Sequence, residues 1–405
     1  MAPDSAAKKT FTSYKLGPLT LRNRVIRAGA FEGMTPSGTP SDKLVEHHRA
    51  LARGGVGMTT ISYCSVSRDG LTFADQMHMR PGIVEDLRRV TDAVHSEGAA
   101  AALQLGHAGY FASSRASGTK PIGVSRLLCL YTMTYPRVMN DDDMQRVKQD
   151  FARSATMARE SGFDAIELHL GHGYLLNQFL SPYTNRRNDQ WGGSLENRLR
   201  FPLEVLRAVR KEIGETVALL AKMNMSDGFK GGLQLSEAIE VARALEAEGI
   251  DALVLSGGFV SKTPFYMLRG DLPVKEMVSN ESRWFRRNGL RLFGRIFVQT
   301  YPFERMFFFE PACRVREAVS TPLVYLGGVR CMDDLARAMG AGFEMVSMAR
   351  PLILDPDLVL KMERGELTSS TCEPCNKCVA QMEAGGIFCA HPELGKKRNP
   401  DRASS

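Results

Sequence analysis

The stretch AIELHLGHGYLLNQFLSPYTNRRNDQWGGS, residues 165–194, ends a short apolar run in two imidazoles and a phenol. His169 and His172 stand three residues apart, and Tyr174 follows two further on. Two neutral imidazoles can grip one carbonyl or phenolate oxygen through paired N–H donors. A phenol that stays protonated at neutral pH can hand over a proton beside them. A zinc site is the competing chemistry for H-x-x-H, but a catalytic zinc needs a third protein ligand, and the helical H-E-x-x-H pattern is absent. A pair of satisfied core histidines is the plainer alternative.

A second cluster lies near the end of the chain, where Cys372, Cys375, Cys378 and Cys389 give C-x2-C-x2-C-x10-C. Such spacing suits an iron–sulfur cluster ([4Fe–4S]), a structural zinc (Zn), or thiols that stay reduced and cap the fold. Cys64, Cys129, Cys313 and Cys331 are scattered, and without an export signal a disulfide framework is not expected.

These groups must be held by regular elements. Near-continuous apolar runs at 25–30, 57–66, 100–106, 165–170, 218–225, 252–258, 322–328 and 345–350 read as parallel strands covered on both faces. Helical patterns separate them. In one, Met144, Val147, Phe151, Ala155 and Ala158 share a stripe and Gly162 is a stop; in another, Ser236 is placed as an N-cap with Gly249 at the end. Eight strands alternating with helices predict an α/β fold, a (β/α)8 TIM barrel over residues 11–365. A doubly wound sheet fits less well, because no G-x-G-x-x-G follows the first strand. Residues 108–141 read as a long loop and 259–309 as a capping insertion after strand six, followed by a Cys-rich tail at 366–405. The alternation of Arg with Phe and Leu in 284–309 predicts an amphipathic cap over the barrel mouth, with a membrane or partner surface as the other reading. In a barrel the strand C-termini form the catalytic mouth, and the loops after strands seven and eight hold phosphate. Gly327 and Gly328 there allow close backbone approach, Ala349 offers a small backbone donor position, and Arg350 a bidentate charge.

Of the 405 residues, 43% are hydrophobic and 24% charged, which excludes wholesale disorder. The formal net charge of +7 is interspersed rather than blocked, so no nucleic-acid partner is expected. No run approaches the roughly 20 apolar residues that span a bilayer, and the polar MAPDSAAKKTFTSY at the start has no apolar signal-peptide core behind it. A soluble cytoplasmic enzyme is the expectation, with a homo-oligomer compatible with it.

The stretch HLGHGYLLNQFLSPYTNRRNDQWGGSLENRLRF, with LTLRNRV near the start and GGVR and SMARPLI near the end, resembles the Old Yellow Enzyme family of NADH:flavin oxidoreductases, from about Phe11 to about Met362. The likeness extends to single-barrel relatives of 2,4-dienoyl-CoA reductase-like enzymes. It implies FMN as cofactor and NAD(P)H (NADH or NADPH) as co-substrate. It makes His169 and His172 the pair that binds an enone or enal oxygen, and Tyr174 the proton donor. It puts Gln104 on the flavin's pyrimidine edge, Lys222 near flavin N1, and Ala30 and Tyr63 against the flavin through backbone atoms. Within Arg27–Ala28–Gly29–Ala30–Phe31–Glu32, Phe31 takes the place of the family's flavin-tuning Cys or Thr. The relatives with a four-cysteine cluster space the last two gaps one residue wider. The implied activity is ping-pong hydride transfer to the C=C bond of an α,β-unsaturated carbonyl compound. Three other readings stay open: an FMN-dependent amine dehydrogenase or demethylase, whose cationic substrate Tyr63, Tyr110 or Phe31 would cage; a dienoyl-CoA reductase-like enzyme with an iron–sulfur cluster; and a non-catalytic electron-carrying subunit.

Overall fold

The computed structural model describes residues 3–281, 284, 287–289, 291–292, 299–382 and 384–395. Eight parallel strands close a barrel: β1 Val25–Arg27, β2 Met58–Ser65, β3 Ala100–Gly106, β4 Ala165–Leu170, β5 Ala218–Asn224, β6 Ala252–Ser256, β7 Leu323–Leu326 and β8 Met345–Met348. Each falls within one of the apolar runs, and β8 pairs with β1 to complete the ring.

Alternation along the strands decides which residues face the interior. Ile166, Leu168 and Leu170 of β4 join the outer core beneath the helices, whereas Ala165 joins the inner cluster. Glu167 and His169 share the parity of Ala165 and therefore point inward. The same count sends Gln104 of β3, Lys222 of β5 and Ser256 of β6 inward above Ala102, Leu220 and Val254. Short side chains at Ala100, Ala102, Ala165, Ala218 and Ala252 fill the lower interior. A hairpin, Tyr14–Leu16 against Leu19–Leu21, stoppers that end with Leu16 and Leu21.

The helix at Asp141–Glu160 buries Met144, Val147, Phe151, Ala155 and Ala158 as the stripe predicts, and Asn140 and Asp143 form a capping box at its start. The helix at Leu235–Ala247 corrects one expectation, because its N-cap is Gln234 and Ser236 lies inside the first turn. The Gln234 amide bonds Phe229 O and Gly232 O, which fixes the preceding turn and starts the helix early. Residues 108–141 are not featureless: they hold a helical turn at Ser114–Ser117 and a two-residue ladder, Ile122–Gly123 with Arg137–Val138.

The insertion after β6 folds back over the barrel, with Gly270 bridged to Tyr301 and Tyr266 against Phe308. Within 284–309, Trp284 and Leu292 are exposed. Residues 282–283, 285–286, 290 and 293–298, on which much of the amphipathic-cap reading rests, lie outside the described residues. The tail touches both the insertion and the β1 loop: Asn376 bonds Asp271 O, and Ile387 N bonds Glu32 O. Among the described residues no helix is long and apolar enough to cross a membrane.

Candidate active site

His169 is the last inward residue of β4, and the chain turns sharply beyond it. His172 and Gly173 both adopt left-handed backbone conformations, at φ 58° and 82°. Asn224 Oδ1 accepts from His172 N at 3.0 Å and Asn177 Oδ1 from Gly173 N at 2.7 Å, which holds the turn. A Cβ on Gly173 would stand 2.6 Å from the Phe259 ring, so glycine is required twice over. The turn brings the two imidazoles to 5.0 Å between centroids, and sets the Tyr174 ring 4.1 Å from His169. His172 Nε2 lies 2.7 Å from Ser256 Oγ. His169 Nδ1 is buried and has no hydrogen-bond partner.

Burial, then His172 and Lys222 nearby, holds His169 well below the ordinary imidazole pKa. Burial and Lys222 bring His172 down to about 3. Both rings are therefore neutral at physiological pH and can donate N–H without carrying charge. Burial, then Tyr63, raises the Tyr174 phenol well above its ordinary value, so it keeps its proton.

Below the histidines lies a polar layer. Glu167 Oε1 accepts from Lys222 Nζ at 2.8 Å and from Gln104 Nε2 at 2.6 Å, and Ser62 Oγ donates to Gln104 Oε1 at 2.9 Å. Strand register produces this set: Gln104 pairs with Glu167 across β3–β4, and His169 with Lys222 across β4–β5. Lys222 also reaches Gly29 O at 3.4 Å. A Cβ on Gly29 would meet Gln104 Nε2 at 3.1 Å and Lys222 Nζ at 3.3 Å, so both side chains converge on bare backbone beside Ala30. Lys222 is thus one half of a buried ion pair rather than an isolated cation. Phe31 stacks on Phe73 at 4.7 Å and meets Tyr63 at 6.0 Å, while Arg27 and Glu32 form a buried pair at 2.5 Å.

At the neighbouring ends of β7 and β8, Gly327 and Gly328 adopt φ of 133° and 78°, and Ala349 precedes the turn that begins at Arg350. Arg350 is only partly available: its Nη1 donates to Arg269 O at 2.8 Å and Asn376 Oδ1 at 2.6 Å. Phe307 and Phe308 cover the glycine pair from above. The four tail thiols are free. Burial pushes Cys372 up to about 11 and Cys378 up to about 12, so both stay protonated at neutral pH. Among the described residues no group of His, Cys, Asp and Glu is placed to hold a metal ion.

A buried aromatic cluster packs beside the histidines. Tyr63 and Phe111 meet Tyr174 edge-on at 4.9 and 5.0 Å, and Phe259 is bridged to His172 through the backbone. Tyr110, tied by its hydroxyl to Ser261, closes one side. A surface groove of about 890 Å³ is lined by Ser125, Arg186 and Trp191 among others, and none of His169, His172 and Tyr174 lines it. Glu167, Ser256, Asn224 and Phe259 escaped the sequence reading. Only Glu167 carried a local signal, as a carboxylate two residues before His169 in a buried strand.

The arrangement fits FMN. A buried imidazole nitrogen is left without a partner, an amide and a buried cation converge on a glycine backbone, and a positive-φ glycine pair ends β7 beside the strand that leads to Arg350. The family model for the NADH:flavin oxidoreductase / NADH oxidase family matches residues 9–262. The chain belongs to this family.

A 4,4'-dithiodibutanoate disulfide reductase of Rhodococcus erythropolis is 43% identical over 376 residues, covering 93% of each chain. Several curated relatives are longer: this chain spans about half of a metal reductase from Desulforamulus reducens, at 30% identity over 91% of its own length and 50% of the relative's. Among solved structures, a 2-naphthoyl-CoA reductase complex superposes with a TM-score of 0.82 at 23% identity, over 98% of this chain and 59% of that one. The Old Yellow Enzyme homologue from Zymomonas mobilis does so with 0.72 at 21% identity, over 96% and 98%. At those identities the two structures speak for the fold.

Proposed function

We propose that the protein is an FMN-dependent NAD(P)H oxidoreductase that reduces a polarised double bond, the α,β-unsaturated carbonyl of an enone or enal. Bound FMN, reduced by the nicotinamide, supplies the hydride. The observation that carries this reading is His169 Nδ1, buried without a partner beside a second neutral imidazole. A buried unsatisfied nitrogen costs about 1–3 kcal/mol, and a ligand oxygen at the mouth would remove that cost. Ser256 Oγ engages His172 Nε2, which leaves Nδ1 as the nitrogen of that ring available to the acceptor. Tyr174, its proton firmly held, delivers it to the α-carbon while the histidines carry the developing enolate.

A second acceptor class, the organic disulfide, is favoured by the Rhodococcus relative at 43% identity over nearly the whole chain. Hydride adds to one sulfur, the S–S pair leaves on the other as thiolate, and Tyr174 protonates it. The same donors serve both cases, because each builds negative charge on the atom they grip. Steady-state NADPH and NADH oxidation with cyclohexenone and with 4,4'-dithiodibutanoate tests both acceptors. Turnover of either supports the reading, and turnover of neither, with FMN bound, removes it.

A further inference from the structure

We propose that Lys262 and Arg186, seated on the Tyr183 ring at the barrel rim, form a carboxylate-binding subsite that selects acceptors carrying an anionic group. The subsite rests on the reading that the His169–His172 pair binds the acceptor.

Lys262 Nζ lies 4.2 Å from the Tyr183 ring centre and 4.5 Å from that of Phe229. Arg186 approaches the Tyr183 ring at 5.7 Å, and its Nε donates to Tyr183 O at 3.2 Å. Aromatic faces hold both cations in place without neutralising them. Elsewhere on this surface arginines find carboxylates, as in Arg88–Glu85, Arg207–Glu248 and Arg243–Glu240. The adjacent Arg187 is paired with Asp189 at 2.5 Å. Lys262 and Arg186 have no carboxylate partner among the described residues, and both are exposed.

Their position ties them to the chemistry. Lys262 N bonds Phe259 O at 3.0 Å, and Phe259 is the residue bridged to His172. Tyr183 meets Phe259 edge-on at 6.1 Å and Phe229 at 5.1 Å. One aromatic layer therefore separates the oxygen-gripping imidazoles from two unpaired positive charges. An acceptor with its reducible end at the histidines and a flexible arm of a few carbons would lay that arm along Phe259 and Tyr183, with its carboxylate between the cations. Two surface pairings of this kind favour the anion about two- to thirty-fold over a neutral analogue, less at high salt.

The test is equilibrium binding to the FMN-loaded full chain by titration calorimetry, using 3-(4-hydroxyphenyl)propanoate and its methyl ester. The phenol end of both occupies the histidines, and only the acid reaches for the rim. The expected result is a carboxylate-over-ester preference of about two-fold or more. It should shrink in 0.5 M salt, fall in Lys262→Gln and Arg186→Gln, and collapse toward one in the double variant. Equal binding of acid and ester by the wild type, or a preference that survives in the double variant, overturns the rim subsite alone. Binding of neither ligand overturns the oxygen-grip reading and the rim subsite with it.

Discussion

Replacing His172 by alanine isolates the oxygen grip. The substitution removes one of two neutral donors and the 2.7 Å contact with Ser256, but leaves His169, Tyr174 and the Gln104–Glu167–Lys222 layer in place. A hydrogen bond to a charged acceptor contributes about 1.5–3 kcal/mol, so the Kd for a phenolate such as 4-hydroxybenzaldehyde should rise about 10- to 150-fold. Removing His169 as well should cost more, although not additively, because the rings share one acceptor. Ser256→Ala retains the ring and loses only what holds its tautomer, so about 2- to 12-fold is expected. The assay is a titration of flavin-loaded protein, followed by the change in its visible spectrum, with flavin content measured on the same sample. A His172→Ala Kd within a factor of two of wild type, at full FMN occupancy, would falsify the assignment.

Three further outcomes follow from the same geometry. Gly173→Ala places a methyl 2.6 Å from the Phe259 ring at φ 82°, and should lower unfolding free energy by about 1–3 kcal/mol in urea melts while weakening phenol binding; an unchanged midpoint and affinity would show that the turn relaxes freely. Lys222→Met strands the buried Glu167 carboxylate and should cost about 3–5 kcal/mol, with Glu167→Gln in the same chain recovering part of it; a double variant no more stable than the single one counts against the pairing. His47, His48, His169 and His172 are all held below the ordinary imidazole value of 6.5 by burial, so the folded state resists protonation that the unfolded chain accepts. Stability should therefore be full above about pH 6.5 and fall as pH drops toward 3, where His172 itself titrates; a flat profile between pH 6.5 and 4 in thermal melts speaks against neutral burial.

The barrel was legible because its strands are buried on both faces and so read as apolar runs that no half-exposed strand produces. The His169–His172–Tyr174 group was legible for a related reason: one local turn carries all three. What stayed hidden comes from elsewhere in the ring. Ser256 and Asn224 lie 84 and 52 residues from His172, and only closure of β4, β5 and β6 side by side brings them to it. Glu167 could be seen as a charge in an apolar strand, but its partner Lys222 is fixed by strand register. Arg350 read as a free phosphate ligand, and the tail's Asn376 claims part of it through a contact that spacing does not encode. Ser236 illustrates a smaller limit, since a glutamine that locks the preceding turn displaced a better capping residue.

The measurement closest to the central claim is the anaerobic visible spectrum of the purified, FMN-loaded protein through one reductive and one oxidative half-cycle. NADH or NADPH should bleach the flavin bands, and cyclohexenone or 4,4'-dithiodibutanoate should restore them, more slowly in the His169→Ala/His172→Ala variant. Flavin that stays oxidised with both nicotinamides, or a reduced flavin that neither acceptor reoxidises, would contradict the account.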